Sequence, residues 1–184
     1  MTNKLVKYIS ILRGINVGGK RKILMEDLRA MYKALGFSDV ITYIQSGNVI
    51  FNTSTTNLKE LEEKIKDSIA KKFGFDVPVI IRSIEEMQQV VSENPFSNEA
   101  DFEPKKLYVT FLSEPIDRVY ENNILPQEYL PDRFKIMGQH IYVYYAEKIS
   151  SSKLIQSLFE KQYKVTATTR NWNSVNKLVE LAEK

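Results

Sequence analysis

The chain has 184 residues, 43% of them hydrophobic and 27% charged, with a formal net charge of +3 at neutral pH. That is enough apolar material to bury one large core or two small ones, and too much for a disordered chain. There is no cysteine and a single histidine, His140, which excludes disulfide bridges, zinc-thiolate sites and thiol nucleophiles and leaves little for metal chemistry.

Residues 7–12 are rich in β-formers and predict a first strand. The run 8–17 that contains it is too short to span a bilayer, carries Arg13 and Gly14, and has no small-residue cleavage site, so a cytoplasmic protein without a membrane partner is expected. Met25, Leu28, Met31, Tyr32 and Leu35 then recur at helical spacing until Gly36 supplies a stop. Two more strands, 40–44 and 48–51, flank a tight turn at Gln45, Ser46 and Gly47. Leu58, Leu61, Ile65, Ile69 and Phe73 form the stripe of a second helix, opened by Asn57 and Glu60 at capping-box spacing and closed by Gly74. A strand at 77–81 leads into a short helix from Ile84, with Ser83 and Glu86 as a second capping box.

The same order then returns. A strand at 107–112 precedes a helix expected from Ile116, Val119 and Tyr120, then a hairpin of 134–137 and 140–145 around Gly138. Leu154, Ile155, Leu158 and Phe159 mark a helix, 165–168 a last strand, and Trp172, Val175, Leu178 and Val179 a closing helix. The fold class expected is therefore α+β: two tandem β-α-β-β-α-β repeats of the ferredoxin-like split type, each followed by a short helix. Residues 1–93 form the first repeat, 94–105 a linker broken by Pro95 and Pro104, and 106–184 the second repeat. Phe96 and Phe102 argue that the linker is ordered.

The repeats differ most after their first strands. The second has only Ser113, Glu114 and Pro115, whereas the first has a 13–22 loop with three glycines and the cations Arg13, Lys20, Arg21 and Lys22. Glycine lets backbone approach a ligand, and a loop carrying only positive charge suits phosphate or carboxylate. In the split topology the first strand lies beside the third, which brings this loop to the rim that carries the Gln45-Ser46-Gly47-Asn48 turn. The ligand-binding set expected there is Arg13, Asn16, Gly18, Gly19 and Lys20, with Gln45, Ser46 and Asn48 adding polar contacts and Arg170 a long-range partner.

Three stretches, residues 12–20, 42–49 and 170–172 (LRGINVGGK, TYIQSGNV and RNW), resemble the signatures of a bacterial family catalogued as domain of unknown function 1697. The resemblance implies an α/β cytosolic bacterial protein and lends no activity, catalytic residue or cofactor. Two local departures from its pattern are Arg21, where Asn is frequent, and Leu24, where a helix-opening Pro is common.

Other chemistries fit less well. Gly14 to Lys20 matches G-x-x-x-x-G-K, but Arg21 stands where a magnesium-holding Ser or Thr belongs. An RNA-recognition sheet needs stacking aromatics on its third strand, where Asn48 and Ile50 stand. A pI near 8.9, just under the roughly 9 of a dedicated nucleic-acid binder, admits nucleic acid without favouring it. Trp172 and the tyrosines 142, 144 and 145 read as packing, and His140 as structural or exposed. The leading expectation is thus a protein that binds a phosphorylated small molecule or another anion. A phosphoryl- or nucleotidyl-transfer enzyme, and a protein-interaction or nucleic-acid-binding module, are the alternatives.

Overall fold

The computed structural model describes residues 4–184. It is α+β, with two four-stranded antiparallel sheets and five α-helices. The chain divides into two compact units, one of residues up to Gln89 together with Leu178–Lys184, the other Val90–Lys177. No helix among the described residues is long and apolar enough to cross a membrane.

The first sheet contains β1 (Val6–Leu12), β2 (Ser38–Tyr43), β3 (Asn48–Thr53) and β4 (Val79–Ser83) in the order β2-β3-β1-β4. Strand β1 is central, running antiparallel to β3 from Val6 opposite Thr53 to Ile11 opposite Asn48, and to β4 from Tyr8 opposite Ser83 to Leu12 opposite Val79. Every residue from Tyr8 to Leu12 is buried, so β1 is covered on both faces, which is why its apolar residues do not alternate with exposed polar ones; the one polar residue of the stretch, Ser10, is itself buried. Helices α1 (Met25–Ala34) and α2 (Leu58–Phe73) cover one face. Leu28, Met31 and Tyr32 from α1 and Leu61, Ile65 and Ile69 from α2 share a core with Tyr8, Leu12 and Phe51. Each such side chain contributes about 1.5–3 kcal/mol by leaving water. Tyr32 bonds Ser10 through its hydroxyl (2.8 Å), and burial raises that hydroxyl's pKa far above the ordinary tyrosine value.

The expected caps form. The Asn57 Oδ1 accepts from the Glu60 N–H at 3.3 Å, and Ser83 and Glu86 bond reciprocally at the start of α3 (Ile84–Ser92). Strand β4 begins two residues later than its apolar run suggests, because Pro78 has no N–H to give the ladder. Arg82 therefore lies within the strand, 5% exposed, at the end of the sheet away from the glycine loop.

The second sheet contains β5 (Leu107–Leu112), β6 (Arg133–Met137), β7 (His140–Tyr144) and β8 (Ala167–Asn171) in the matching order β6-β7-β5-β8. Here one expectation fails. No α-helix forms at Ile116, Val119 and Tyr120; the connection runs through short 3₁₀ turns at Arg118–Tyr120 and Pro126–Tyr129. Pro115, Pro126 and Pro131 punctuate it and the Asp117 carboxylate caps the Val119 N–H at 3.0 Å; Ile116 and Tyr120 still pack against the core of this unit, but Val119 is 73% exposed, so the three do not form one helical face. Helix α4 (Gln156–Tyr163) is also short, and Leu154 and Ile155 precede it. Residues 94–105 are folded in this unit: Phe96 is 1% exposed and packs tilted against Tyr144 with ring centroids 5.4 Å apart.

Helix α5 (Trp172–Ala182) opens with the Asn171 side chain accepting from the Ser174 N–H at 2.8 Å. Its end belongs to the first unit, where the Ala182 carbonyl accepts from the Lys7 ammonium at 2.6 Å.

Candidate functional site

The rim of the first sheet is assembled from two loops that lock into one another. The Leu12 N–H donates to the Gly47 carbonyl (2.8 Å) and the Arg13 N–H to the Pro78 carbonyl (3.0 Å), so the end of β1 is held from both sides. Gly14 turns the chain at φ +68° and Ile15 drops into the core at 1% exposure. The chain then doubles back as a small hairpin. Val17 bridges Lys20, and Gly18 and Gly19 form its tip at φ +57° and +75°, the left-handed pair that a tight two-residue hairpin needs.

Asn16 is the clasp of this hairpin. It sits at φ +55°, a region that Asn tolerates better than most residues. Its Nδ2 donates to the carbonyls of Ile23 and Gln45 (both 2.9 Å), and its Oδ1 accepts from the Ile23 N–H (2.9 Å). In the facing turn the buried Asn48 amide donates to the Tyr43 carbonyl (3.1 Å) and to Ser46 Oγ (3.0 Å). Gly47 is where the loops touch: a Cβ there would come within 2.6 Å of Ile15 Cδ1 and 2.9 Å of Leu12 Cβ.

The residues expected to bind a ligand thus separate by what their atoms do. Asn16, Ser46 and Asn48 hold the rim together. Gly18 and Gly19 supply turn geometry, and a Cβ on either would meet nothing within 4 Å. Gln45, Lys20 and Lys22 are exposed, and Arg13 and Arg21 are half-buried. Lys20, Arg21 and Lys22 enter no ion pair among the described residues.

A depression of about 360 Å³ opens beside the hairpin, lined by Asn16, Gly19, Lys22, Ile23, Leu24 and Gln45. Its cation is Lys22; neither Lys20 nor Arg13 lines it. Neither Ile23 nor Leu24 belongs to the binding set expected from sequence, because neither carries polar chemistry; the start of the α1 stripe at Met25 is the available signal that the loop ends beside them. Leu24 is the N-cap of α1 and offers no side-chain cap, while Glu26 and Asp27 in the first turn offset part of the positive end of the helix dipole. The hairpin does not wrap a helix N-terminus as a nucleotide-binding phosphate loop does, since α1 starts only at Met25.

Arg170 lies in the second unit, 7% exposed, with its Nη1 donating to Thr168 Oγ1 and the Thr169 carbonyl (both 2.9 Å). Burial pulls its pKa down to about 10. Trp172, 8% exposed, packs as a core residue. His140 is half-buried, edge-on to Tyr142 with centroids 5.0 Å apart.

A family model described as "Protein of unknown function (DUF1697)" matches residues 5–142, a span that includes both interlocking loops. The chain belongs to this family. Among solved structures, this DUF1697 chain is similar to the conserved bacterial protein SP0830 from Streptococcus pneumoniae, with a TM-score of 0.75 and 22% identity over 97% of this chain and 99% of that one. At that identity the likeness speaks for the fold. No curated protein matches the chain.

Proposed function

We propose that this DUF1697 protein binds a phosphate-bearing or otherwise anionic small molecule at the 13–24 loop. The observation that carries the reading is a hairpin, pinned by the Asn16 clasp, that holds Lys20, Arg21 and Lys22 without a carboxylate partner among the described residues. A backbone already fixed at the hairpin has little further freedom to lose when an anion arrives, which favours binding there over a loop that must be ordered first. Lys22 with Gln45 would take the anion at the depression, Arg13, Lys20 and Arg21 would add to the local field, and Asn16, Gly18, Gly19, Ser46 and Asn48 would keep the geometry. Arg170 is assigned a structural role in β8. We place the protein in the cytoplasm, as the family resemblance implies. We also read the two sheets as copies of one ferredoxin-like split β-α-β unit, the second having its first helix reduced to 3₁₀ turns.

Thermal melts with inorganic phosphate, a nucleoside diphosphate and a sugar phosphate test the ligand reading. At least one should raise the wild-type Tm, and the gain should shrink in a Lys20→Ala Lys22→Ala double variant and at high salt. Equal gains in wild type and double variant would sink it. Turnover of a phosphate ester that the double variant abolishes would move the reading to a transfer enzyme.

A second reading, an interaction surface, rests on three exposed apolar residues in this same region: Val17 (64%), Leu24 (71%) and Ile44 (44%). Sedimentation of wild type against Leu24→Ser distinguishes it, since only a self-association through this rim would be lost in the variant.

A further inference from the structure

The two units differ in how they cover the start of their central strand. Helix α2 runs for 16 residues and α4 for 8, and both end at a left-handed C-cap, Gly74 at φ +75° and Lys164 at φ +57°. The turns missing from α4 are therefore its N-terminal ones, and a 3₁₀ turn at Ile149–Ser151 and extended chain stand in their place. Tyr8 and Tyr108 occupy matching positions, paired with Ser83 and Asn171 at the ends of β4 and β8. Tyr8 is 5% exposed and packs on Phe51. Tyr108 is only half-buried, its ring edge-on to Tyr145 at 5.2 Å.

Tyr108 instead lines a cleft of about 890 Å³, with Ile149, the lysines Lys105, Lys106 and Lys148, and one carboxylate, Glu147, around it. That volume suits a small molecule. Three lysines outnumber Glu147 and the neighbouring Glu103, so the charge at its mouth is positive on balance. Glu103 pairs with both Lys105 (3.0 Å) and Lys106 (2.5 Å), sharing one carboxylate between two ammonium groups, and Lys148 enters no ion pair among the described residues. A tyrosine ring and an isoleucine on the wall, with lysines at the edge, match a ligand that is flat and apolar at one end and anionic at the other.

We propose that this cleft of the second unit is a binding site for an aromatic phosphomonoester, its ring against Tyr108 and Ile149 and its phosphate on Lys148, with Lys105 and Lys106 adding charge. The site is independent of the 13–24 loop and stands or falls without it. The probe is 1-naphthyl phosphate, with 1-naphthol and inorganic phosphate as controls, titrated by calorimetry into the full chain. Lys148 is exposed, so Lys148→Glu should leave the Tm unchanged. The naphthyl phosphate should bind more tightly than either control. Lys148→Glu should weaken it about tenfold or more, since a charge-assisted contact is replaced by a like charge, whereas Lys20→Ala Lys22→Ala should not. Tyr108 and Ile149 resonances should shift on titration. No binding, equal affinity in Lys148→Glu, or loss in the loop double variant instead would each overturn the proposal.

Discussion

Gly47 is the residue on which the interlocked rim depends. It needs both a left-handed φ of +80° and empty space where a side chain would start, since Ile15 Cδ1 lies 2.6 Å from that point. Gly47→Ala is expected to cost about 1–3 kcal/mol through overpacking, with about 1–2 kcal/mol more from the backbone. Urea denaturation measures it, and a cost no larger than that of Gly19→Ala, where only φ is at stake, would show that the contact with Ile15 is soft. Gly47 is legible in the sequence as a turn residue, and the structure has it in a turn. What the sequence did not reveal is that Asn16, Ser46 and Asn48 spend their amides and hydroxyl on their own loops. Whether a polar side chain faces outward or inward depends on which carbonyls come near, and those of Gln45 and Ile23 reach Asn16 only through tertiary packing.

At the scale of elements, each unit has to deal with an outer strand whose outward amides lack a strand partner. Side chains of the preceding helix take them. Glu62 on α2 accepts from the Ile81 N–H (3.0 Å), and on α4 Glu160 and Gln156 accept from Ala167 (2.9 Å) and Thr169 (3.0 Å). Burial is the largest influence on Glu62 and raises its pKa, despite the opposing bond from Ile81 and the charges of Arg82 and Lys59. A carboxyl whose folded pKa is raised adds stability at low pH and loses it as pH climbs from the ordinary carboxylate value through the folded one. Glu62→Gln keeps the acceptor and removes the charge, so its Tm should exceed that of wild type at pH 7 and converge with it near pH 4. A lower Tm at pH 7 would mean that attraction to Arg82 outweighs desolvation. Most helices were legible from their period-3.6 stripes, and the strands from short runs of β-forming residues bounded by turn signals, which persist even where burial on both faces removes alternation, as in β1. The segment after β5 was not, because three apolar residues at helical spacing cannot outvote the surrounding prolines.

For the whole molecule, sequence order and structural membership part company at α5. The apolar stripe that predicted this helix said nothing of which core each turn joins, since periodicity is blind to partners. Its last residues complete the first unit, where Leu178, Val179 and Ala182 are 0%, 8% and 1% exposed. Deleting residues 178–184 removes two large buried side chains, about 1.5–3 kcal/mol each, and the carbonyl that Lys7 binds. Amide exchange in β1 should accelerate in the truncated protein although nothing near β1 in sequence has changed. Protection that stays at the wild-type level would show that α5 is dispensable to the first sheet. The same membership has a consequence for biosynthesis. Domains ordinarily fold in the order in which they leave the ribosome. Here the first unit receives its final helical turns only after the whole of the second unit has been translated, so a nascent chain holds an incomplete first unit while the second has all of its residues.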